Sequence, residues 1–261
     1  MTELFVTERR AQGAVWLTLN RPEIHNAFDD RLIAGLIDEL TGLGRDRDVR
    51  AVVLTGAGRS FSAGADLNWM RRTAAYGEAE NLTDARALAR LMTVLNELPK
   101  PTVARINGPA LGGGVGLVAC ADIAVASEEA LFGLTEVRLG IMPSVIGPYV
   151  IAAIGSRWAR RLMLTGERID AAAALRIGLV HEVVPAAGLD DAIDRVLGEL
   201  HKGGPRAIAE TKRLIHDLGG RPIDAGASEE TARRIARLRA SAEGQDGIAA
   251  FLEKRKPGWL G

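Results

Sequence analysis

Three consecutive glycines, Gly112 to Gly114, then Val115 and Gly116, open the apolar stretch ALGGGVGLVACADI at residues 110–123. Glycine inside a helix costs about 1 kcal/mol relative to alanine, so four glycines in five positions need a compensating reason. Either the backbone must approach something closely, or N–H groups stay free at a helix start to bind a ligand. A second junction of the same kind lies upstream in FSAGADLNWM. There a strand-like segment has ended at Gly56, and Ala63-Gly64-Ala65-Asp66 enters a helical stretch. One free N–H from each junction, converging on one oxygen, would form an oxyanion hole, worth roughly 3 to 4 kcal/mol of barrier per donor.

The segments around these junctions alternate between strand and helix. LFVTERR and AVWLTLN, split by Gln12-Gly13, read as a hairpin. DDRLIAGLIDELTGL has Asp29 or Asp30 as an N-cap and apolar residues at helical spacing through Leu32, Leu36 and Leu40. RAVVLTG is a short buried strand, and AGRSFSAGAD a Gly/Ser-rich loop. DARALARLMTVLNEL is a helix stopped by Pro99 and Pro101; PTVARING and ADIAVAS are further strands. From Ser144 onward the chain reads as mostly helical, with one weak strand at VHEVV and a candidate hinge at LGGRPIDAGAS, 218–228. The pattern predicts an α/β core over residues 1–200 and a helical region over 201–261. In that tail, Ala232, Ile235, Leu238 and Ala242 fall on one helical side, a stripe suited to burial.

Composition excludes several classes. Lys plus Arg and Asp plus Glu both total 33, and aromatics are 4%, so nothing favours nucleic acid or an anionic membrane as a partner. The one cysteine, Cys120, rules out an internal disulfide, fits a reducing cytosol and has the apolar neighbours of a core residue. MTELFVTERRAQG has no apolar run of the signal-peptide kind, and no segment is long enough to span a bilayer, so a cytoplasmic location is expected. His25, His181, His201 and His216 have neither triad partners nor zinc-site spacing, so no metal is expected. Ser62 in SFSAG lacks the nucleophile-elbow pattern. GVGLVA fits G-x-G-x-x-A, but NGPALGG separates it from the preceding strand, as a dinucleotide turn does not allow. Glu136, in FGLTEVRLGIMP, lies in an apolar stretch beyond a strand and turn. A partly desolvated carboxylate there suits general acid/base work near neutral pH.

In order along the chain, LNRPEIHNAF, VVLTGAGRSFSAGADL, INGPALGGGVGLVACADIAVAS, FGLTEVRLGIMP, LTGERIDAAAALRIGLVHEVVP and FLEKRKPGW resemble the signatures of the enoyl-CoA hydratase/isomerase (crotonase) family. LNWMRR, GGGVGL and LTEVRLG…PYVIAAIG are most similar to its methylglutaconyl-CoA hydratase branch, which acts in leucine and acyclic-terpene breakdown. The resemblance implies a spiral of ββα units with a C-terminal helical trimerisation region, and trimers or dimers of trimers. It implies a CoA thioester as substrate, no separate cofactor, and a thioester carbonyl held by the N–H groups of Ala65 and Gly113. Contacts to the adenine side fall on Ile24, Ala63, Asp66 and Leu67, and Phe251 and Lys254 match positions that reach a neighbouring subunit's CoA. Two departures stand out. Glu23 lies where many relatives have a cation for a phosphate, and Gly116 replaces the first of two hydratase glutamates, leaving Glu136 alone. Gly116 is thereby expected to open volume for a branched or carboxylated acyl group, whose carboxylate could meet Arg71, Arg72 or Arg138. Hydratase, delta isomerase and an acyl-CoA-binding pseudoenzyme all remain open on these residues.

Overall fold

A computed structural model describes residues 3–261; Met1 and Thr2, at the head of the stretch read for a signal peptide, lie outside it. Nine strands are β1 Phe5–Arg9, β2 Ala14–Leu19, β3 Ala51–Gly56, β4 Thr102–Ile106, β5 Ala110–Leu111, β6 Ile123–Ser127, β7 Leu131–Gly133, β8 Arg168–Asp170 and β9 Glu182–Val184. The α-helices are α1 Asp30–Arg45, α2 Leu67–Thr73, α3 Glu78–Asn96, α4 Gly113–Cys120 and α5 Gly147–Thr165. They continue with α6 Ala171–Arg176, α7 Leu189–Lys202, α8 Pro205–Leu218, α9 Ala225–Arg239 and α10 Ala242–Glu253.

The main sheet runs β1-β2-β3-β4-β6-β9, antiparallel in the β1–β2 hairpin and parallel from β2 onward. Every residue of β3 is buried, as a strand covered on both faces must be. Its side chains alternate between two cores. Val52 and Leu54 join Leu32, Leu36 and Leu40 of α1 and Leu91, Met92 and Leu95 of α3. Ala51 and Val53 join Leu189, Ala192, Ile193 and Leu197 of α7. Asp29 caps α1 by accepting the Leu32 amide at 2.8 Å, satisfying one of the orphan donors.

The second sheet, β5-β7-β8, consists of strands of two or three residues, too short for a periodic pattern to announce them. After β4 the chain makes β5 and then α4; after β6 it makes β7 and then α5. In each pass the first strand extends the main sheet and the second builds the small one, giving the strand–strand–helix winding expected. α7 still packs on β4 and β6, whereas α8, α9 and α10 pack on one another. The tail is not one continuous helix, because α9 ends at Arg239 and Ser241 caps α10 through the Gly244 amide. Ala242 therefore belongs to a different helix from Ala232, Ile235 and Leu238, and Ile235 is exposed in the single chain.

Candidate active site

The two junctions meet. Ser62 and Ala110 form a parallel bridge, with Leu111 N–H donating to Ser62 O at 2.8 Å. A Cβ on Gly64, whose φ is +83°, would lie 2.8 Å from Leu111 O and 3.4 Å from Gly113 N. Only glycine allows both that backbone conformation and that approach.

Each junction leaves one amide free. Phe28 N–H donates to Gly64 O at 2.6 Å and Asp66 N–H donates to Phe28 O at 2.8 Å, so Phe28 grips both neighbours of Ala65. In a parallel bridge of this form the middle residue's own N–H points away, and Ala65 is exposed. Gly112 N–H is used by Gly133 O at 2.8 Å, and Gly113 is the first residue of α4. Neither the Ala65 nor the Gly113 N–H has an acceptor among the described residues. Gly113 adds the positive end of a helix dipole.

Glu136 stands beside them on a 3-10 turn, Glu136–Leu139. Its Oε1 is 3.1 Å from where a Cβ on Gly112 would begin, and its Oε2 is buried without a hydrogen-bond partner among the described residues. Burial pushes this carboxyl above its ordinary value, its own backbone N–H offsetting only part of the effect. An acid of raised pKa therefore sits against the residue that precedes one of the two free amides.

The remaining residues divide. Ile24 is half-buried, Ala63 half-buried and Leu67 70% exposed, on the same loops. Asp66 is fully engaged in the protein: its carboxylate caps α2 through the Asn68 and Trp69 amides and pairs with Arg21 at 2.9 Å, and both backbone groups are bonded. It shapes the loop that carries Ala65. The opening expected at Gly116 does not exist. Gly116 is buried, and a Cβ there would meet Cγ2 of Ile146 at 2.3 Å and Sδ of Met92 at 3.2 Å. Ile146, 3% exposed and thirty residues downstream, has taken the vacated volume.

Phe251, 84% exposed, and Lys254 lie at the end of α10, which packs on α8 and α9, and nothing within this chain brings them to Glu136. Of the three arginines, Arg72 pairs with Asp30 at 2.6 Å and Arg71 donates to Asn68 Oδ1 at 2.7 Å. Arg138, two residues beyond Glu136, is exposed and has no ion-pair partner among the described residues. The Ser62 hydroxyl is buried and donates to Asn26 O at 2.9 Å, and no group of His, Cys, Asp or Glu among the described residues is arranged to hold a metal. Cys120 is a core thiol whose pKa burial pushes up. No helix among the described residues is long and apolar enough to cross a membrane.

Sequence reasoning missed Phe28, Asn26 and Arg21. Asn26, at a left-handed φ of 55°, donates to Ala57 O and Ser60 O and so stitches the 21–28 loop to the loop before Ala63. An asparagine in a short polar run was the available signal, since Asn tolerates that conformation better than most residues.

The chain is similar to known proteins along nearly its whole length. The sequence profile of the enoyl-CoA hydratase/isomerase family matches residues 9–261. The 2,3-dehydroadipyl-CoA hydratase of Escherichia coli K12 is 36% identical over 100% of both chains. The crotonyl-CoA hydratase of Syntrophomonas wolfei is 33% identical over 99% of this chain and 98% of its own. The crystal structure of an enoyl-CoA hydratase from Shewanella pealeana is 43% identical, covers 98% of this chain and 96% of that one, and superposes with a TM-score of 0.95. The chain belongs to the enoyl-CoA hydratase/isomerase (crotonase) family.

Proposed function

We propose that this protein is a hydratase that adds water across the Cα–Cβ double bond of an enoyl-CoA thioester, a branched, 3-methylglutaconyl-type acyl group being its substrate. The observation that carries the reading is the Glu136 carboxyl, whose Oε2 is buried without a hydrogen-bond partner among the described residues and whose Oε1 is 3.1 Å from where a Cβ on Gly112, the residue before the free Gly113 amide, would lie. In the reaction, the thioester oxygen accepts the Ala65 and Gly113 N–H groups, which stabilise the enolate as charge develops. Glu136, in its acid form, gives a proton to Cα; water bonds to Cβ and returns one proton to Glu136. The sum is one water added and the carboxyl restored. CoA enters as part of the substrate.

The carboxylated acyl group is favoured by Arg138, an exposed guanidinium without an ion-pair partner among the described residues, two positions from Glu136. A panel of linear enoyl-CoA and glutaconyl-CoA thioesters tests this. Arg138→Met should raise KM for the carboxylated members about tenfold and leave crotonyl-CoA unchanged; equal effects on both would remove the carboxylate assignment. The single carboxylate also supports a second reading, a delta isomerase in which Glu136 moves a proton between carbons. We further infer trimers or dimers of trimers in the cytoplasm, with Phe251 and Lys254 serving a neighbouring subunit's CoA. Light scattering at micromolar concentration tests the assembly, and a monomer would contradict it.

A further inference from the structure

The two free amides belong to segments far apart in sequence, yet one residue touches the construction of both. Phe28 is 1% exposed. Its backbone makes the 2.6 Å and 2.8 Å bonds to Gly64 O and Asp66 N that flank Ala65 and set which way the Ala65 N–H points. Its ring reaches the other donor, since a Cβ on Gly113 would lie 2.6 Å from Phe28 Cε2 and 3.2 Å from Cδ2. The ring edge therefore fills the place where any other residue at 113 would begin its side chain.

We propose that Phe28 is the positioning residue of the oxyanion site, fixing the spacing between the Ala65 and Gly113 N–H groups by bonding one loop with its backbone and bracing the other with its ring. It touches no reacting atom. This explains why position 113 must be glycine, for a reason additional to ligand access: the ring occupies the space. It rests on the oxyanion reading of the site but not on the choice between hydration and isomerisation, because both need the same polarised carbonyl. Positioning errors of an ångström cost up to about 10²-fold in rate, so a shorter side chain at 28 should act on kcat more than on KM.

The test uses the full-length protein and an unreactive saturated acyl-CoA. Infrared difference spectra of the bound thioester read how strongly its carbonyl is polarised, independently of turnover. Phe28→Leu, which lacks the ring edge, should lose most of the downshift of the carbonyl stretch and lower kcat about tenfold or more, with KM within about threefold. Adding Gly113→Ala to Phe28→Leu refills the vacated space and should recover part of both, although Gly113→Ala alone collides with the ring. If Phe28→Leu does not fold, Phe28→Met keeps the side-chain length and carries the same reading. A downshift and kcat that survive the substitution, with only the melting temperature reduced, would overturn the role of Phe28. No downshift in the unaltered protein would overturn the oxyanion reading itself, and with it this one.

Discussion

Glu136 Oε1 stands 3.1 Å from the point where a side chain on Gly112 would begin. Gly112 has φ +51° and ψ −120°, which a residue with a Cβ adopts only under strain. The Glu136 carboxyl thus leans on a glycine that tolerates both the conformation and the contact. Gly112→Ala should cost about 1 to 3 kcal/mol in stability from backbone strain and lower kcat about 10²-fold by displacing the carboxyl. Thermal melting and steady-state kinetics on the same preparation check both.

Glu136→Gln keeps the shape and removes the titrating group, so kcat should fall at least about 10²-fold with little change in thioester affinity. The same variant should melt higher than the parent at pH 8. Burial raises the carboxyl's pKa in the folded protein, so its stabilising contribution is full below the ordinary carboxylate range and is lost as pH rises through the raised value. The difference in melting temperature should close towards pH 4. Activity carries a matching sign. If Glu136 acts as the acid in hydration, kcat/KM falls as pH rises through its pKa; as the base of an isomerase it would rise.

Gly116→Ala places a methyl 2.3 Å from Ile146 Cγ2 in a packed core, and should destabilise by about 1 to 3 kcal/mol. The double variant Gly116→Ala/Ile146→Ala removes the colliding methyl and should regain part of the loss of the single Gly116 variant. Denaturant melts of the parent, Gly116→Ala, Ile146→Ala and the double variant measure the coupling. A full carboxylate at 116 meets the same obstacle, so Gly116→Glu alone should fold poorly.

How far the sequence revealed this site depends on the range of the interaction. Asp29 as a cap and the Leu32, Leu36, Leu40 stripe are local signals, legible because roughly the first three turns of one helix contain them. The two glycine-rich junctions were legible because glycine runs at a helix start have few physical explanations. Ile146 in the notch of Gly116 was not, since the two lie thirty residues apart and neither is unusual in its own segment. The pairing of Asp66 with Arg21 was not legible either, because the fold brings Arg21 in from 45 residues away. β5, β7 and β8 exist through pairing with one another, not through residue pattern.

Asp66→Asn should lower stability by about 2 kcal/mol at pH 7 by weakening a charge-assisted contact with Arg21. Burial works to raise this carboxyl, but the Trp69 and Asn68 amides and Arg21 outweigh it and hold its pKa below the ordinary value. Its contribution is therefore present above about pH 4 and lost as pH falls through the depressed pKa. The parent and variant melting curves should converge in acid.

At this single-carboxylate site we expect water, not only a proton, to add to the substrate. Turnover of 3-methylglutaconyl-CoA in ¹⁸O-water, with the product read by mass spectrometry, tests it most directly. The expected product is a 3-hydroxyacyl-CoA carrying one ¹⁸O at Cβ, formed by the unaltered protein and not by Glu136→Gln. A product of unchanged oxygen content with its double bond moved would contradict it and leave the isomerase.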